Sequence, residues 1–455
     1  MITARAFAGR HYAVYGLARS GIATVEALLA SGAKVTAWDA KEEARAALSS
    51  PRFRGEGDHP KDGGGAPPSG LRPGEENLRI ANLDTADLSE FDSLVVTPGL
   101  PLNRHPIASR AREAGVEIIG DIELFARARP ELPRHKVVGI TGTNGKSTTT
   151  ALIHHILETA GVPSTMGGNI GLPILAQDPL PDGGVYVLEL SSYQIDLTQS
   201  LDCDVAVLLN ITPDHLDRYE SFEAYAASKA RLFEMQSAGH NMVARTTEVR
   251  DFDVGAGGVI ASFIEDVLDH KFVELRDQRQ FPTLQGPHNL ENMFAGIEVC
   301  DILGVGLEDI REGLRTYPGL PHRVERVREK DGVLFVNDSK ATNPTATAPA
   351  LAAFERIRWI CGGQAKTDNL DECAPWFGHV RSAYTIGEAG ELFASLLSPH
   401  MDVAECETLE RAVGRAAADS ASGDTVLLSP ACASFDQFRD FEDRGDQFKA
   451  LVGAL

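Results

Sequence analysis

The sequence is short of positive charge. Its 65 acidic residues outnumber 43 lysines and arginines, giving a formal net charge of -22 over 455 residues. Such a surface repels nucleic acid and anionic membrane faces, so any phosphate ligand must be met by a local positive pocket. Cysteine is also sparse: Cys203, Cys300, Cys361, Cys373, Cys406 and Cys432 are scattered, with no CxxC pair. That pattern argues against a zinc ribbon or a disulfide framework and fits a reduced, cytoplasmic setting. No run of about 18 apolar residues occurs, and no long apolar segment precedes the first strand, so neither membrane insertion nor secretion is expected. A hydrophobic content of 43% excludes extensive disorder. A length prior of roughly 150 residues per domain suggests three domains.

What is present is organised around residues 137–150, VVGITGTNGKSTTT. A β-branched run (Val137, Val138, Ile140) predicts a buried strand, and Gly142, Thr143, Asn144 and Gly145 predict a tight turn. Lys146, Ser147 and Thr148 then open a helix whose free N–H groups suit phosphate, with Lys146 reaching the outer phosphates and the Ser147 hydroxyl placed for Mg²⁺. The Walker A spacing is not met, because Ile140 stands where its first glycine belongs. A glycine turn with a chance lysine is the bland alternative. A GTNGKS turn after a strand resembles the Mur ligases and folylpolyglutamate synthases, which activate a carboxylate with ATP and join it to an amine.

From His11 the chain reads strand, glycine turn, helix, strand, a βαβ opening. Gly16, Ala18 and Gly21 occupy the GxGxxG places, and Asp39 ends the second strand where an acidic residue would meet a ribose hydroxyl. On these residues alone a nicotinamide enzyme, another nucleotide carrier or an empty turn are all open. Residues 51–76 are rich in Pro and Gly and poor in apolar side chains, and read as a surface insertion. Order resumes at FDSLVVTPG and at IGDIELF (119–125), which closely resemble the corresponding segments of the D-glutamate-adding branch of the Mur ligases. The resemblance implies that Arg19, Ser20, Asp39 and Thr97 line a uridine diphosphate pocket, with Asn169 and Ser191 also toward the UDP-linked substrate.

In the middle third, GGNIG (167–171) brings backbone close to a ligand or simply turns. Glu189 ends a predicted parallel strand beside the phosphate loop and is placed to hold Mg²⁺ with Ser147. The next strand delivers Asn210, Asp214, His215 and Asp217 to the same sheet edge, where His215 suits a metal role. In the helix that follows, Lys229 interrupts the apolar face formed by Phe222, Tyr225, Ala226, Leu232 and Phe233. It either snorkels outward or is buried beside a cation, where an ammonium is doubly unfavourable. The family resemblance implies a carbamate on Lys229, which with His215 would hold a second Mg²⁺, and assigns Asn292 in GPHNLEN to the nucleotide.

A Pro/Gly-rich segment at 316–325 predicts a linker into another open α/β domain, with strands VLFVND, IRWICGG, SAYTIG, MDVAEC and DTVLLSP each followed by a helix. Polar residues sit at its strand ends: Asp338, Ser339, Lys340 and Thr342; Gln364 and Lys366; Ser434. The run LLSPACASFDQFRDFEDRGDQF (427–448) again resembles the D-glutamate-adding branch, and the DNPR motif of the diaminopimelate-adding relatives is absent. By that resemblance Thr342, Lys366, Ser434, Phe435 and Phe441 surround D-glutamate, while Arg323 and Asp338 clamp ATP; for the two phenylalanines core packing is the other role.

The expected molecule is a monomer of three open α/β domains: a Rossmann-like UDP-substrate domain (1–128), a central P-loop-type ATPase domain (129–318) and a Rossmann-like amino-acid domain (319–455). The implied reaction adds D-glutamate to UDP-N-acetylmuramoyl-L-alanine in peptidoglycan precursor synthesis, using ATP and two Mg²⁺ ions. Closure of the last domain is expected to accompany it. A nicotinamide oxidoreductase, a non-catalytic ATP switch and a folate-type glutamate ligase are the alternatives. The first two leave Lys229 and 427–448 without a role.

Overall fold

The computed structural model of the protein describes residues 1–48, 75–212, 214, 218–245, 247, 260–263 and 272–455. Residues 51–74 of the expected insertion, His215 and Asp217 lie outside them. Three α/β sheets follow one another along the chain. The first contains β1 (His11–Tyr15), β2 (Lys34–Trp38), β3 (Leu78–Ile80), β4 (Ser93–Val96) and β5 (Glu117–Ile119) in the order β3-β2-β1-β4-β5. Its registered pairs are all parallel. Helices α1 (Arg19–Ala30), α2 (Glu42–Ala47), α3 (Pro106–Glu113) and α4 (Asp121–Ala128) connect or follow these strands.

The second sheet has the order β11-β10-β9-β6-β8-β7. Its strands are β6 (His135–Thr141), β7 (Ser164–Gly168), β8 (Gly184–Glu189), β9 (Val205–Leu208), β10 (Asn241–Ala244) and β11 (Ile260–Phe263). Every residue of β8 and β9 is buried, as a central parallel strand covered on both faces requires. Because β6 lies between β8 and β9, the chain leaving each of them emerges at one sheet edge. The helices are α5 (Lys146–Thr159), α6 (Ser192–Asp196), α7 (Phe222–Glu234), α8 (Pro287–Ile302) and α9 (Leu307–Thr316).

The first two sheets share a hydrophobic core. Val14, Val25 and Phe125 of the first pack in one cluster with Tyr186, Leu188, Leu208 and Leu232 of the second. Residues 1–276 and 291–314 form one compact unit.

The other unit, residues 277–290 and 315–455, carries the third sheet in the order β12-β13-β17-β14-β15-β16. Its strands are β12 (Glu325–Lys330), β13 (Val333–Asn337), β14 (Ile357–Gly362), β15 (Val380–Ile386), β16 (Asp402–Glu407) and β17 (Thr425–Leu428). Helices α10 (Pro344–Ala353), α11 (Gly390–Leu397), α12 (Leu409–Ala418) and α13 (Phe441–Ala454) accompany it. All pairings are parallel except the edge strand β12, which the sequence pattern did not announce.

The helix expected between β14 and β15 is instead a 3₁₀ segment, Ala374–His379. Its APWFGH sequence, with an early proline, a glycine and two bulky aromatics, is poorly suited to an α-helix. All six cysteines are buried and unbonded. No described helix is long and apolar enough to cross a membrane.

Candidate active site

The loop leaving β6 is held by its neighbours. Asn210, just past β9, accepts the Thr143 N–H on its carbonyl (2.8 Å) and the Asn144 N–H on its side-chain oxygen (2.8 Å), and its amide donates back to the Asn144 carbonyl (3.1 Å). The Thr143 hydroxyl accepts the Thr212 N–H (3.0 Å) and lies 3.1 Å from the Tyr225 hydroxyl. Thr143 and Asn144 therefore spend their N–H groups inside the protein. The donors that suit an anion are those of the first turn of α5, which no helix satisfies internally.

Gly145, the residue before that helix, has φ +85, and a Cβ there would collide with the Asn292 side-chain oxygen. Asn292, itself buried, packs directly on the loop and thus sits beside the expected nucleotide site.

Two lysines converge on one carbonyl. Lys146 Nζ donates to the Gly142 and Thr143 carbonyls, both at 2.8 Å, and Lys229 Nζ donates to the same Gly142 oxygen at 3.0 Å. Lys229 is only 2% exposed and its Nζ lies 4.6 Å from the Tyr225 ring centroid. Burial first, then the charge of Lys146, pushes its amine down to about 7, against the opposing pull of Asp214 and Asp196. Around neutral pH a large fraction of Lys229 is therefore an uncharged amine, with a lone pair available for chemistry. The snorkelling alternative is not what the fold adopts.

Glu189, at the end of β8, is 2% exposed. One carboxylate oxygen accepts the Asn169 amide (2.9 Å); the other is buried with no hydrogen-bond partner. A buried acceptor of that kind calls for a donor or a cation. With the Ser147 hydroxyl at the start of α5, the chemistry of this donor set fits Mg²⁺. Among the described residues no group of three or more His, Cys, Asp and Glu side chains forms a metal cluster, and His215 lies outside those residues.

At the first sheet, Gly21 cannot carry a side chain, because its Cβ would collide with the Gly16 carbonyl. Asp39 splints the turn between β1 and α1: its two oxygens accept the N–H groups of Leu17 (2.7 Å) and Lys41 (2.9 Å). Ser20, Gly21 and Thr97 line a small cavity with Asp121. Arg19 donates to the Gly171 carbonyl (3.1 Å) and so joins this turn to the 167–171 segment.

Ser191 is the N-cap of α6. Its hydroxyl accepts the Gln194 N–H and donates to the Gln194 side chain, forming a capping box at the start of α6. The Ser-x-x-Gln spacing is itself a helix-start signature. Missed from sequence was the corner built by Tyr15, whose hydroxyl donates to Asp84 (3.0 Å) and meets His105 (3.2 Å), and by Trp38, stacked under Arg45 at 4.5 Å.

In the third sheet the predicted residues do gather at strand ends. Lys366 donates to the Thr342 hydroxyl (3.3 Å), and the loops after β14 and β17 are bridged by reciprocal Gln364 and Ala433 backbone bonds (2.9 Å each). Ser434 is buried, whereas Phe435 is 68% exposed. Its exposure removes the core-packing role left open for it. Phe441 has its ring 6.1 Å from that of His322. Lys366 is exposed.

Asp338 is buried and held within the loop: its oxygens accept the Val324 N–H (3.2 Å) and the Ser429 hydroxyl (2.6 Å), and burial pushes its acid up to about 7. Arg323 lies between His322 (φ 61) and Val324 (φ 48). A β-branched residue at positive φ is strained, and such strain clusters at ligand clamps.

Models of the Mur ligase middle domain and of the Mur ligase glutamate ligase domain match residues 140–252 and 322–432. A UDP-N-acetylmuramoylalanine–D-glutamate ligase of Novosphingobium aromaticivorans is 56% identical, covering 100% of this chain and 97% of its own. Its counterpart in Sphingopyxis alaskensis is 55% identical over the whole of both chains. Among solved structures, the MurF ligase of Thermotoga maritima in complex with ADP aligns with a TM-score of 0.55 at 16% identity, over 99% of this chain and 97% of that one, and so supports the fold. The identity over its full length with these relatives places the chain in the Mur ligase family, in the branch of the UDP-N-acetylmuramoylalanine–D-glutamate ligases.

Proposed function

We propose that this chain joins D-glutamate to UDP-N-acetylmuramoyl-L-alanine at the expense of ATP, a cytoplasmic step in building peptidoglycan and hence in cell shape and division. The geometric observation that carries the chemistry is the convergence of Lys146 and buried Lys229 on the Gly142 carbonyl beside the α5 N-terminus. The carboxylate of the UDP-linked substrate attacks the γ-phosphorus of ATP, the bond to the β-phosphate oxygen breaks, and ADP leaves an acyl phosphate. Lys146 and the first-turn N–H groups of α5 neutralise the charge that spreads over the transferring group. The amine of D-glutamate then attacks the acyl carbon, phosphate departs, and the ammonium proton passes to a neighbouring carboxylate.

Two Mg²⁺ ions would be held by Ser147 and Glu189 and by His215 with carbamylated Lys229, supplying further charge neutralisation. The uncharged Lys229 amine is the form that adds to CO₂: an N–C bond forms, a C–O π bond opens, and the amine proton is lost to solvent.

In the domain reading, 1–128 holds the UDP-linked substrate through Arg19, Ser20, Asp39 and Thr97, and 129–318 holds ATP through residues 142–148 and Asn292, with Asn169 and Ser191 toward the UDP-linked substrate. Residues 319–455 hold D-glutamate through Thr342, Lys366, Ser434, Phe435 and Phe441, with Arg323 and Asp338 toward the nucleotide, and the working form is a monomer. Phosphate release from ATP, measured with a panel of acceptors and amino acids, should require the UDP-linked acceptor and D-glutamate together; release with a folate acceptor instead would overturn the assignment. Calorimetric titration should show binding of the UDP-linked acceptor and none of NAD.

Selectivity for the amino acid is tested at Lys366. Because the side chain is exposed, its charge-assisted contact with a carboxylate falls between a surface pair and a buried one. Lys366→Ala should therefore raise the KM for D-glutamate roughly 10-fold, with the KM for the UDP-linked substrate unchanged. Equal weakening of both substrates, or equal use of L-glutamate by the wild type, would sink this pocket.

A further inference from the structure

We propose that Arg444 is a positioning residue of the amino-acid site, tying together the three loops that carry its ligands and keeping among them a buried positive charge with no carboxylate in direct contact. The inference rests on the D-glutamate reading of that site. Arg444, on α13, is 0% exposed. Its Nε donates to the Ser339 hydroxyl (2.9 Å), and one terminal nitrogen donates to the Ser339 carbonyl (2.8 Å) and the Cys432 carbonyl (3.1 Å). The other terminal nitrogen donates to the Ala433 carbonyl (3.3 Å), which also receives the Gln364 N–H. Ser339 closes the circuit by donating from its hydroxyl to the Phe441 carbonyl (2.8 Å). One side chain thereby connects the loop leading to Thr342, the loop leading to Lys366 and the loop bearing Ser434 and Phe435.

Each of these acceptors of Arg444 is a neutral oxygen, and among the described residues no carboxylate forms an ion pair with it. Two acids act on it only from a distance. Asp338 is bonded to Val324 and Ser429, and Asp436 accepts the Glu388 N–H on one oxygen (2.9 Å) while its other oxygen is buried without a hydrogen-bond partner. A buried guanidinium without a counter-ion is expensive, and a neutral amide could make several of the same bonds. The surplus charge is accounted for if the counter-charge arrives with the substrate. D-glutamate brings two carboxylates, and exposed Lys366 answers one of them. The planar fork also explains why lysine is not equivalent here, since an ammonium cannot span Ser339, Cys432 and Ala433 in one plane.

The test is steady-state kinetics of full-length Arg444→Lys and Arg444→Met, with inhibition by glutarate, a dianion, and by its neutral diamide. Arg444→Lys should raise the KM for D-glutamate roughly 5- to 10-fold while the KM values for ATP and the UDP-linked substrate stay within twofold. Arg444→Met should raise it at least about 30-fold and weaken glutarate at least about tenfold more than the diamide, since a charge and not only a shape has gone. Equal effects on all three substrates, or equal loss of both inhibitors, would overturn the role. If Arg444→Met does not fold, Arg444→Lys decides alone, and a wild-type KM for D-glutamate in that variant overturns it. Lys366→Ala is run alongside. An unchanged KM for D-glutamate there sinks the site itself, whereas a raised KM with unaffected Arg444 variants sinks only the positioning role.

Discussion

Lys146→Ala should slow phosphate release by about 1,000-fold or more, while the melting temperature moves by no more than a few degrees. The side chain contributes little packing, because its ammonium is spent on two loop carbonyls and the loop has independent support from Asn210 and Tyr225. What is lost is a full charge on the transferring phosphoryl group, in a site where donors fixed in advance act on the transition state. A second effect compounds the first: without the neighbouring charge the Lys229 amine becomes more basic, and less of it is uncharged at neutral pH. Rapid-quench phosphate release together with a thermal melt separates the two quantities. Turnover within tenfold of wild type would remove Lys146 from the phosphoryl site.

Lys229→Ala should be almost inactive, by a comparable factor of about 1,000, and partly rescued by short-chain carboxylic acids such as acetate. The variant removes the buried anion that the carbamate would supply and leaves a space that a small carboxylate fills. A lysine acting only as an ammonium would not be replaced by an anion, so rescue distinguishes the two chemistries. The pH dependence has a definite sign. The free amine is pushed down to about 7, so its uncharged, CO₂-reactive fraction rises as pH rises through 7 and falls below it. Wild-type enzyme held below pH 7 in degassed buffer should lose activity and recover it on adding bicarbonate at higher pH. Activity indifferent to both treatments, with no rescue of Lys229→Ala, would leave the lysine unmodified.

Much of this was legible in the sequence, for reasons that differ between elements. The strands that end in the phosphate loop, in Glu189 and just before Asn210 are near-continuous apolar runs closed by glycine or polar residues, and such runs announce their own ends. Lys229 was conspicuous because it broke an apolar helical face. The splint roles were not legible: Asn210 and Tyr225 lie 66 and 82 residues from their partners in the loop, and no local pattern records a contact of that span. The spacing of Asp39 pointed to a ligand, but its backbone partners at Leu17 and Lys41 become visible only once the turn is folded. The burial of Arg444 was not legible either. Its complete burial depends on where the loops after β13 and β17 meet.

The core shared by the first two sheets has a consequence for which substrates fit. Ile2 donates its N–H to Leu175, Gly120 to Leu197, and Glu123 accepts the N–H groups of Gln199 and Ser200 (2.7 and 2.9 Å), so the sheets are stitched along their length as well as packed. Close-packed interiors of this kind do not stretch. If, as proposed, a diphosphate sits at the Gly16 turn and the transferred phosphoryl at the Gly142 loop, the space between them would work as a ruler whose length the packing sets. A precursor lengthened by one more amino acid would carry its carboxylate past the mark, and one lacking its alanine would fall short.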